Sequence, residues 1–234
     1  MVLFHNLLGS DVCRVSCGAR NGGCMRLMER MTHWVRYGWK YDNAADEYWA
    51  GRMRRHGMAL SSVGDLGLSE SGNQQKYDER AEIIQHIWSR LPITTVLDVG
   101  CGTGFYMKLL DRYGVTDYTG MDITDELFPL LRHSGYRFLK QDVSVEPIEG
   151  KYSLILMLDV IQHIVSQPKL HFALHNVQSA LGQNGTLLMT RPSDNRLFHG
   201  FHTRQWGKSE VESCLTHKIV ESIPFHDSTL LVVQ

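Results

Sequence analysis

The sequence predicts an α/β fold: a mostly parallel, doubly wound sheet of seven strands, one of them antiparallel, preceded by a helical cap. Three observations carry this. From Thr94 onward, short apolar strands alternate with helical stretches, as in a sheet whose crossovers are helices. The first of these strands runs straight into a turn with glycine at alternate positions, Gly100-Cys101-Gly102-Thr103-Gly104, and then into a helix. The chain closes with two strand-like stretches separated only by His226 to Ser228, a spacing that pairs them as a hairpin.

The elements follow in order. Residues 1–26 show no sustained period and carry Gly9, Gly18, Gly22 and Gly23, so a flexible tail is expected. Met25, Met28 and Met31 leave open whether this tail lies upstream of the natural start. Residues 27–92 form the cap. Leu27, Met31, Trp34 and Val35, then Tyr41, Ala45, Tyr48, Trp49 and Met53, recur at helical spacing, and Asp42 is placed to cap a helix beginning near Asn43. Ser61 to Gly72 reads as a loop. Ser71 is the expected cap of a helix over 73–90, which ends before Pro92.

The domain proper is expected over 93–234. Its strands are 94–99, 117–123, 136–141, 152–158, 186–190, 218–225 and 229–233. Its helices are 105–113, 125–133 (disturbed at Pro129), 168–181 (ended by Gly182) and 209–217. The strand over 152–158 is an almost unbroken apolar run, as expected of a strand covered on both faces.

Composition narrows the function classes. The chain has 234 residues, 43% hydrophobic and 21% charged, which suits a single globular domain with a small appendage. The formal net charge is −1, so no general basic field exists to hold nucleic acid. Arg52, Arg54, Arg55 and His56 form either a local basic patch or a solvated helix face. No run approaches the ~20 apolar residues of a membrane span, and the N-terminus lacks the basic and long apolar regions of a signal peptide. Cys13, Cys17 and Cys24 match no zinc spacing, and with Cys101 and Cys214 they read as free thiols of a cytoplasmic protein. No His, Cys and carboxylate cluster has metal-ligand spacing, so no metal is expected.

In an open α/β sheet the ligand lies off the carboxyl ends of the strands. Four acids stand there: Asp98, Asp122, Asp142 and Asp159, after four successive strands. Each is also a residue type that caps helices. The glycine spacing fits the dinucleotide fingerprint Gly-x-Gly-x-x-Gly poorly, because position 105 is Phe. The stretch Val96-Leu97-Asp98-Val99-Gly100-Cys101-Gly102-Thr103-Gly104 instead resembles the nucleotide-binding loop of class I S-adenosylmethionine-dependent methyltransferases, apolar-Asp-x-Gly-x-Gly-x-Gly.

The resemblance covers about residues 94 to 233. It implies a Rossmann-like sheet, S-adenosylmethionine as cofactor and S-adenosylhomocysteine as product. It also implies a cofactor site made of Asp98, Gly100, Cys101, Gly102, Gly104, Asp122, Ile123, Asp142, Val143, Asp159 and Val160. In that site Asp122 accepts the ribose hydroxyls and Asp142 stands by the adenine amine, with the Val143 amide as a donor to the ring. Asp98 lies near the methionine end and Asp159 under the sulfonium. The family often has Ser or Pro two residues after the ribose acid; Thr124 stands there in this chain.

Tyr77 and Arg80, neighbours on a helix, are further cofactor-site candidates; Arg80 either reaches a carboxylate or is a surface cation. The remaining assignments concern the acceptor. Tyr41, Tyr48 and Trp49 are core or an aromatic lid. His163, and His199 or His202, are the candidate bases, histidine being the side chain suited to proton transfer near neutral pH. His163, Arg191, His199, Arg204, Trp206 and Tyr48 are the candidate acceptor contacts. The stretch from Arg191 to Trp206 is a border of the acceptor pocket or a surface loop. The expectation is metal-independent methyl transfer to O or N of a small molecule by a monomer or homodimer. An RNA or protein acceptor and a non-catalytic cofactor-binding role are the alternatives.

Overall fold

The computed structural model describes residues 40–131, 136–192 and 201–234. The expected tail, the cap stretch before Lys40, Cys13, Cys17, Cys24 and His199 lie outside the described residues.

Among the described residues, seven strands form one sheet: β1 (Thr95–Val99), β2 (Asp117–Asp122), β3 (Arg137–Lys140), β4 (Tyr152–Met157), β5 (Leu181–Pro192), β6 (Ile219–Phe225) and β7 (Ser228–Val233). Their order is β3-β2-β1-β4-β5-β7-β6. The pairs from β3 to β5 are parallel, and β7 runs antiparallel to both of its neighbours. The doubly wound sheet with one antiparallel strand is therefore as expected. Strand order reverses between β1 and β4, which opens a crevice at their carboxyl ends.

Among the described residues, five α-helices accompany the sheet: α1 (Ala45–His56), α2 (Glu70–Trp88), α3 (Phe105–Arg112), α4 (Gln167–Ser179) and α5 (Lys208–Glu212). Successive residues of β4 face opposite sides, as the pleat requires. Leu154 and Leu156 join Ile84, Ile87, Leu110 and Phe225 in one cluster; Ile155 and Met157 join Leu170, Leu174, Val177 and Trp206 in the other. All four β4 residues are fully buried, which explains the unbroken apolar run. Helix α2 thus shares the core of the sheet, while Tyr41, Tyr48 and Trp49 form a third, smaller cluster above it.

Several boundaries differ from expectation. Asp42 caps nothing: it sits in a 3-10 turn, α1 starts at Ala45 without a side-chain cap, and the Asp42 carboxylate pairs with Lys169 at 3.6 Å. Ser69, not Ser71, caps α2, accepting the Gly72 amide at 3.1 Å. The earlier start lets Glu70 turn back and accept the amides of Leu60 and Ser61, at 2.6 and 3.1 Å. Over 125–131, the described part of the helix expected over 125–133, the chain forms one 3-10 turn, Phe128–Leu130, with Pro129 lacking an N–H to extend it. Helix α4 stops at Ser179, and Gly182 lies in β5 instead of ending the helix. A Cβ at Gly182 would stand 3.3 Å from the Tyr152 carbonyl oxygen, so this glycine admits a neighbouring strand.

Candidate active site

The crevice is organised by the glycine loop. Gly100, Gly102 and Gly104 all have positive φ, at 75°, 49° and 67°. At Gly100 and Gly102 the space is also closed to a side chain: a Cβ would come within 2.7 Å of Val160 and of Val63, respectively. The loop is tied to β2 by the amides of Gly100 and Cys101, which both donate to the Met121 carbonyl at 2.8 and 3.0 Å.

Asp122, the last residue of β2, completes the tie. Its carboxylate accepts the Gly102 amide at 3.0 Å and the Thr124 amide at 3.2 Å. Burial nonetheless pushes its pKa up to about 6, against these backbone donors. Asp98 is 2% exposed and holds the Tyr118 hydroxyl at 2.8 Å. Burial pushes it up to about 7, the Tyr118 hydrogen bond opposing. Asp142 folds a turn on itself, accepting the amide and hydroxyl of Ser144 at 2.8 and 2.6 Å.

Asp159 differs from the other three. It is a non-glycine residue in the left-handed region, φ 56°, a conformation that Asp tolerates better than most residues. Its amide donates to Thr190 Oγ1 at 2.6 Å, and its carboxylate receives the Arg80 guanidinium. Burial acts to raise its pKa, but Arg80 prevails, with help from Lys76, and holds it down near 2. Arg80 also donates to Asp227 and Ser228, at 2.9 and 3.1 Å, and Lys76 donates to Asp227 at 3.0 Å. A partly buried network of two cations and two carboxylates therefore joins α2, the end of β4 and the β6–β7 turn.

The far wall is aromatic. Tyr41, Trp49, Met53, His163 and Ile164 face the same cavity as the glycine loop. The Trp49 indole N–H donates to the Tyr41 hydroxyl at 3.1 Å, and the His163 ring meets Trp49 edge to face with centroids 4.9 Å apart. His163 Nδ1 lies 3.0 Å from the His202 carbonyl oxygen.

Twelve of the expected residues line this one cavity: Tyr77, Asp98, Gly100, Cys101, Gly102, Asp122, Ile123, Asp142, Val143, Asp159, Val160 and His163. Gly104 does not; it stands behind the loop as the N-cap of α3. Arg80 is buried and does reach a carboxylate, that of Asp159, through which it meets the cavity. Tyr48 is buried under Tyr41, Trp49 and Phe201. Arg191 is buried in β5, opposite Thr229 of β7. Arg204 stacks on Trp206 with its guanidinium 3.8 Å from the ring, and Trp206 is fully buried. His202 lies behind His163, ring parallel to ring with centroids 5.6 Å apart.

Residues not foreseen also line the cavity, Met53, Val63, Phe105 and Tyr106 among them. Tyr106 is the most telling, since its hydroxyl is buried without a hydrogen-bond partner. Its place, the second residue of the helix that follows the glycine loop, was the available signal. Among the described residues, no three His, Cys, Asp or Glu side chains gather as metal ligands would.

The comparisons agree with this geometry. Residues 49–218 match the family model described as a methyltransferase domain. A ubiquinone biosynthesis O-methyltransferase of Bordetella avium is 30% identical over 96 residues, a match that spans 36% of this chain and only 38% of that relative. Among solved structures, magnesium protoporphyrin IX methyltransferase of Synechocystis, with bound S-adenosylhomocysteine, superposes with a TM-score of 0.59 at 20% identity, covering 82% of this chain and 99% of that one. An S-adenosylmethionine-dependent methyltransferase of Leishmania major gives a TM-score of 0.67 at 13% identity, covering 89% and 91%. With the family model spanning more than half of the chain, the chain belongs to the methyltransferase-domain family, the class I S-adenosylmethionine-dependent methyltransferases.

Proposed function

We propose that this protein methylates an oxygen or nitrogen of a small, largely apolar acceptor, with His163 as the base. One observation carries the reading. His163 stands on the wall of the cavity that also holds the glycine loop and Asp122, with its Nδ1 turned away to the His202 carbonyl. A carbonyl oxygen only accepts, so Nδ1 carries the hydrogen and the lone pair of the neutral imidazole is on Nε2.

The cavity fits S-adenosylmethionine. Two buried carboxylates, Asp98 and Asp122, have pKa values raised by burial, and the buried Tyr106 hydroxyl has no protein partner. Gly100 and Gly102 line the cavity with bare backbone. When bound, the cofactor supplies a methyl group already activated by its sulfonium sulfur. Asp122 accepts the ribose hydroxyls as charge-assisted bonds while keeping Gly102 in place. Asp142 and the Val143 amide take the adenine, and Asp98 the ammonium of the methionine end. Tyr41, Trp49 and Met53 exclude water and orient the acceptor against the methyl carbon, the contribution that alignment makes in such a transfer. His163 removes the acceptor's proton.

The acceptor class rests on the same wall. Tyr41, Ala45, Trp49, Met53 and Ile164 are apolar or aromatic, and the Tyr41 hydroxyl is engaged by Trp49. The chain's net charge of −1 leaves no general basic field for RNA. The test is turnover of S-adenosylmethionine across a panel of phenols, catechols, aryl amines and aliphatic amines, with His163→Gln alongside. Methylation of aromatic hydroxyl or amino acceptors, lowered at least ~100-fold in the variant, supports the reading. Undiminished turnover by His163→Gln removes His163 from the chemistry.

A further inference from the structure

The turn that carries His163 does not stand alone. It is the 3-10 turn Ile161–His163, just past β4, and the segment 201–206 straps it down. The Trp206 indole N–H is shared between the carbonyls of Ile161 and Ile164, at 2.9 and 3.0 Å. The Arg204 amide donates to the Gln162 carbonyl at 2.8 Å, and its guanidinium to the Val165 carbonyl at 3.2 Å. In return the His202 carbonyl holds His163 Nδ1 at 3.0 Å. Two residues of one segment thus satisfy four carbonyls of the other, and a third sets the orientation of its imidazole.

The strap is itself anchored. Arg204 lies over the Trp206 ring at 3.8 Å and reaches Glu210 at 3.4 Å. The Glu210 carboxylate also accepts the Gly207 amide that opens α5, at 2.8 Å. Trp206 is fully buried in the cluster that covers one face of the sheet. Neither Trp206 nor Arg204 lines the cavity. An indole N–H only donates and cannot act as a proton acceptor, so Trp206 has no place in the chemistry itself. Its two carbonyl partners stand on either side of His163 in the chain.

We propose that Trp206 is a positioning residue for His163: its bifurcated hydrogen bond, seconded by Arg204, fixes the 161–165 turn so that Nδ1 meets the His202 carbonyl and Nε2 carries the lone pair. The inference rests on His163 as the base. It also assigns a role to the segment 201–206, which acts on the base from behind the cavity wall and not on the acceptor. A typical hydrogen bond contributes about 1 kcal/mol net, so losing the indole N–H should shift the tautomer balance of His163 roughly fivefold toward Nε2–H.

The test uses the full chain labelled with 15N-histidine and saturated with S-adenosylhomocysteine, which needs no acceptor. The His163 resonances are assigned by their loss in His163→Gln. The wild type should show His163 as the Nδ1–H tautomer. Trp206→Phe should move it toward an even mixture while S-adenosylhomocysteine affinity stays within about twofold. With the best acceptor of the panel, kcat should fall about twofold, in step with the share of Nδ1–H lost, and KM should hold. Arg204→Met, at a half-exposed site, is the second variant should Trp206→Phe fail to fold, and it should move the same resonances by less. An unchanged imidazole signature in a folded Trp206→Phe, or in Arg204→Met when the first does not fold, overturns the proposal. A fall in kcat without that change overturns it too, since packing alone would then explain the loss. Full turnover by His163→Gln sinks the base assignment instead, and it leaves the tautomer result standing as structure.

Discussion

The two sides of the crevice treat their carboxylates in opposite ways. On the β1–β2 side, Asp98 and Asp122 are buried with only neutral donors, and burial pushes them up to about 7 and about 6. On the β4 side, Asp159 is locked to Arg80 and held near 2. A buried acid without a cation is a standing cost to the fold, whereas a paired one resists removal of its partner. The contrast teaches which acids are kept for a ligand and which hold the frame. In the proposed reading Asp98 and Asp122 take the cofactor, while Asp159 joins α2 and the β6–β7 turn to the site.

The largest effect should come from breaking the paired side. Arg80→Met takes the guanidinium from both Asp159 and Asp227, and it should cost about 3–5 kcal/mol in urea unfolding. A loss under about 1 kcal/mol would mean that the network is solvated and not structural. Next comes the unpaired side. Asp122→Ala should weaken S-adenosylhomocysteine binding roughly 100-fold by calorimetry, because both the ribose acceptor and the Gly102 tie disappear. Unchanged affinity would remove Asp122 from the cofactor site.

Asp98→Asn sharpens the comparison through pH. Asp98 binds its proton more tightly in the folded chain than in the unfolded one, where its pKa is about 4. Its contribution to stability therefore falls as pH rises from about 4 to about 7. Asp159 has the opposite sign: its contribution is full above about pH 4 and is lost as pH falls toward 2. Asn keeps an acceptor for the Tyr118 hydroxyl without the charge, so at pH 8 the variant should be about 2 kcal/mol more stable and bind cofactor more weakly. Equal stability of variant and wild type at pH 5 and at pH 8 would refute the buried charge. The smallest effect is expected at Tyr106→Phe. Removing an unpartnered buried hydroxyl should stabilise the free protein by about 1 kcal/mol and lower cofactor affinity about fivefold. Equal affinity would show that the hydroxyl does not meet the ligand.

Much of this was legible in the chain. The glycine loop and the four strand-end acids are local patterns, readable because a strand places its last residue beside whatever turn follows. Asp98, Asp122, Asp142 and Asp159 all reach the cavity for that reason. Contacts between distant segments were not legible. Arg80 lies 79 residues before Asp159 and 147 before Asp227, and nothing near it in sequence tells a partly buried network from a surface cation. Trp206 and Arg204 looked like acceptor contacts because the loop after β5 borders the site. Their side chains instead run beneath it, because the carbonyls of the 161–165 turn offer an indole and a guanidinium better partners than solvent does.

The sequence by itself determined the class of sheet, the strand that begins the site, the glycine loop and the row of acids, since each follows from periodicity and from residues adjacent in the chain. Only the tertiary structure decided which acid is paired, which aromatic rings face the cavity and how His163 is turned. Tyr41 and Trp49 reach the cavity while Tyr48 packs behind them, and all three lie in one short stretch of the same cap. Burial and pairing depend on what folds against a residue, and no periodicity in the chain encodes that.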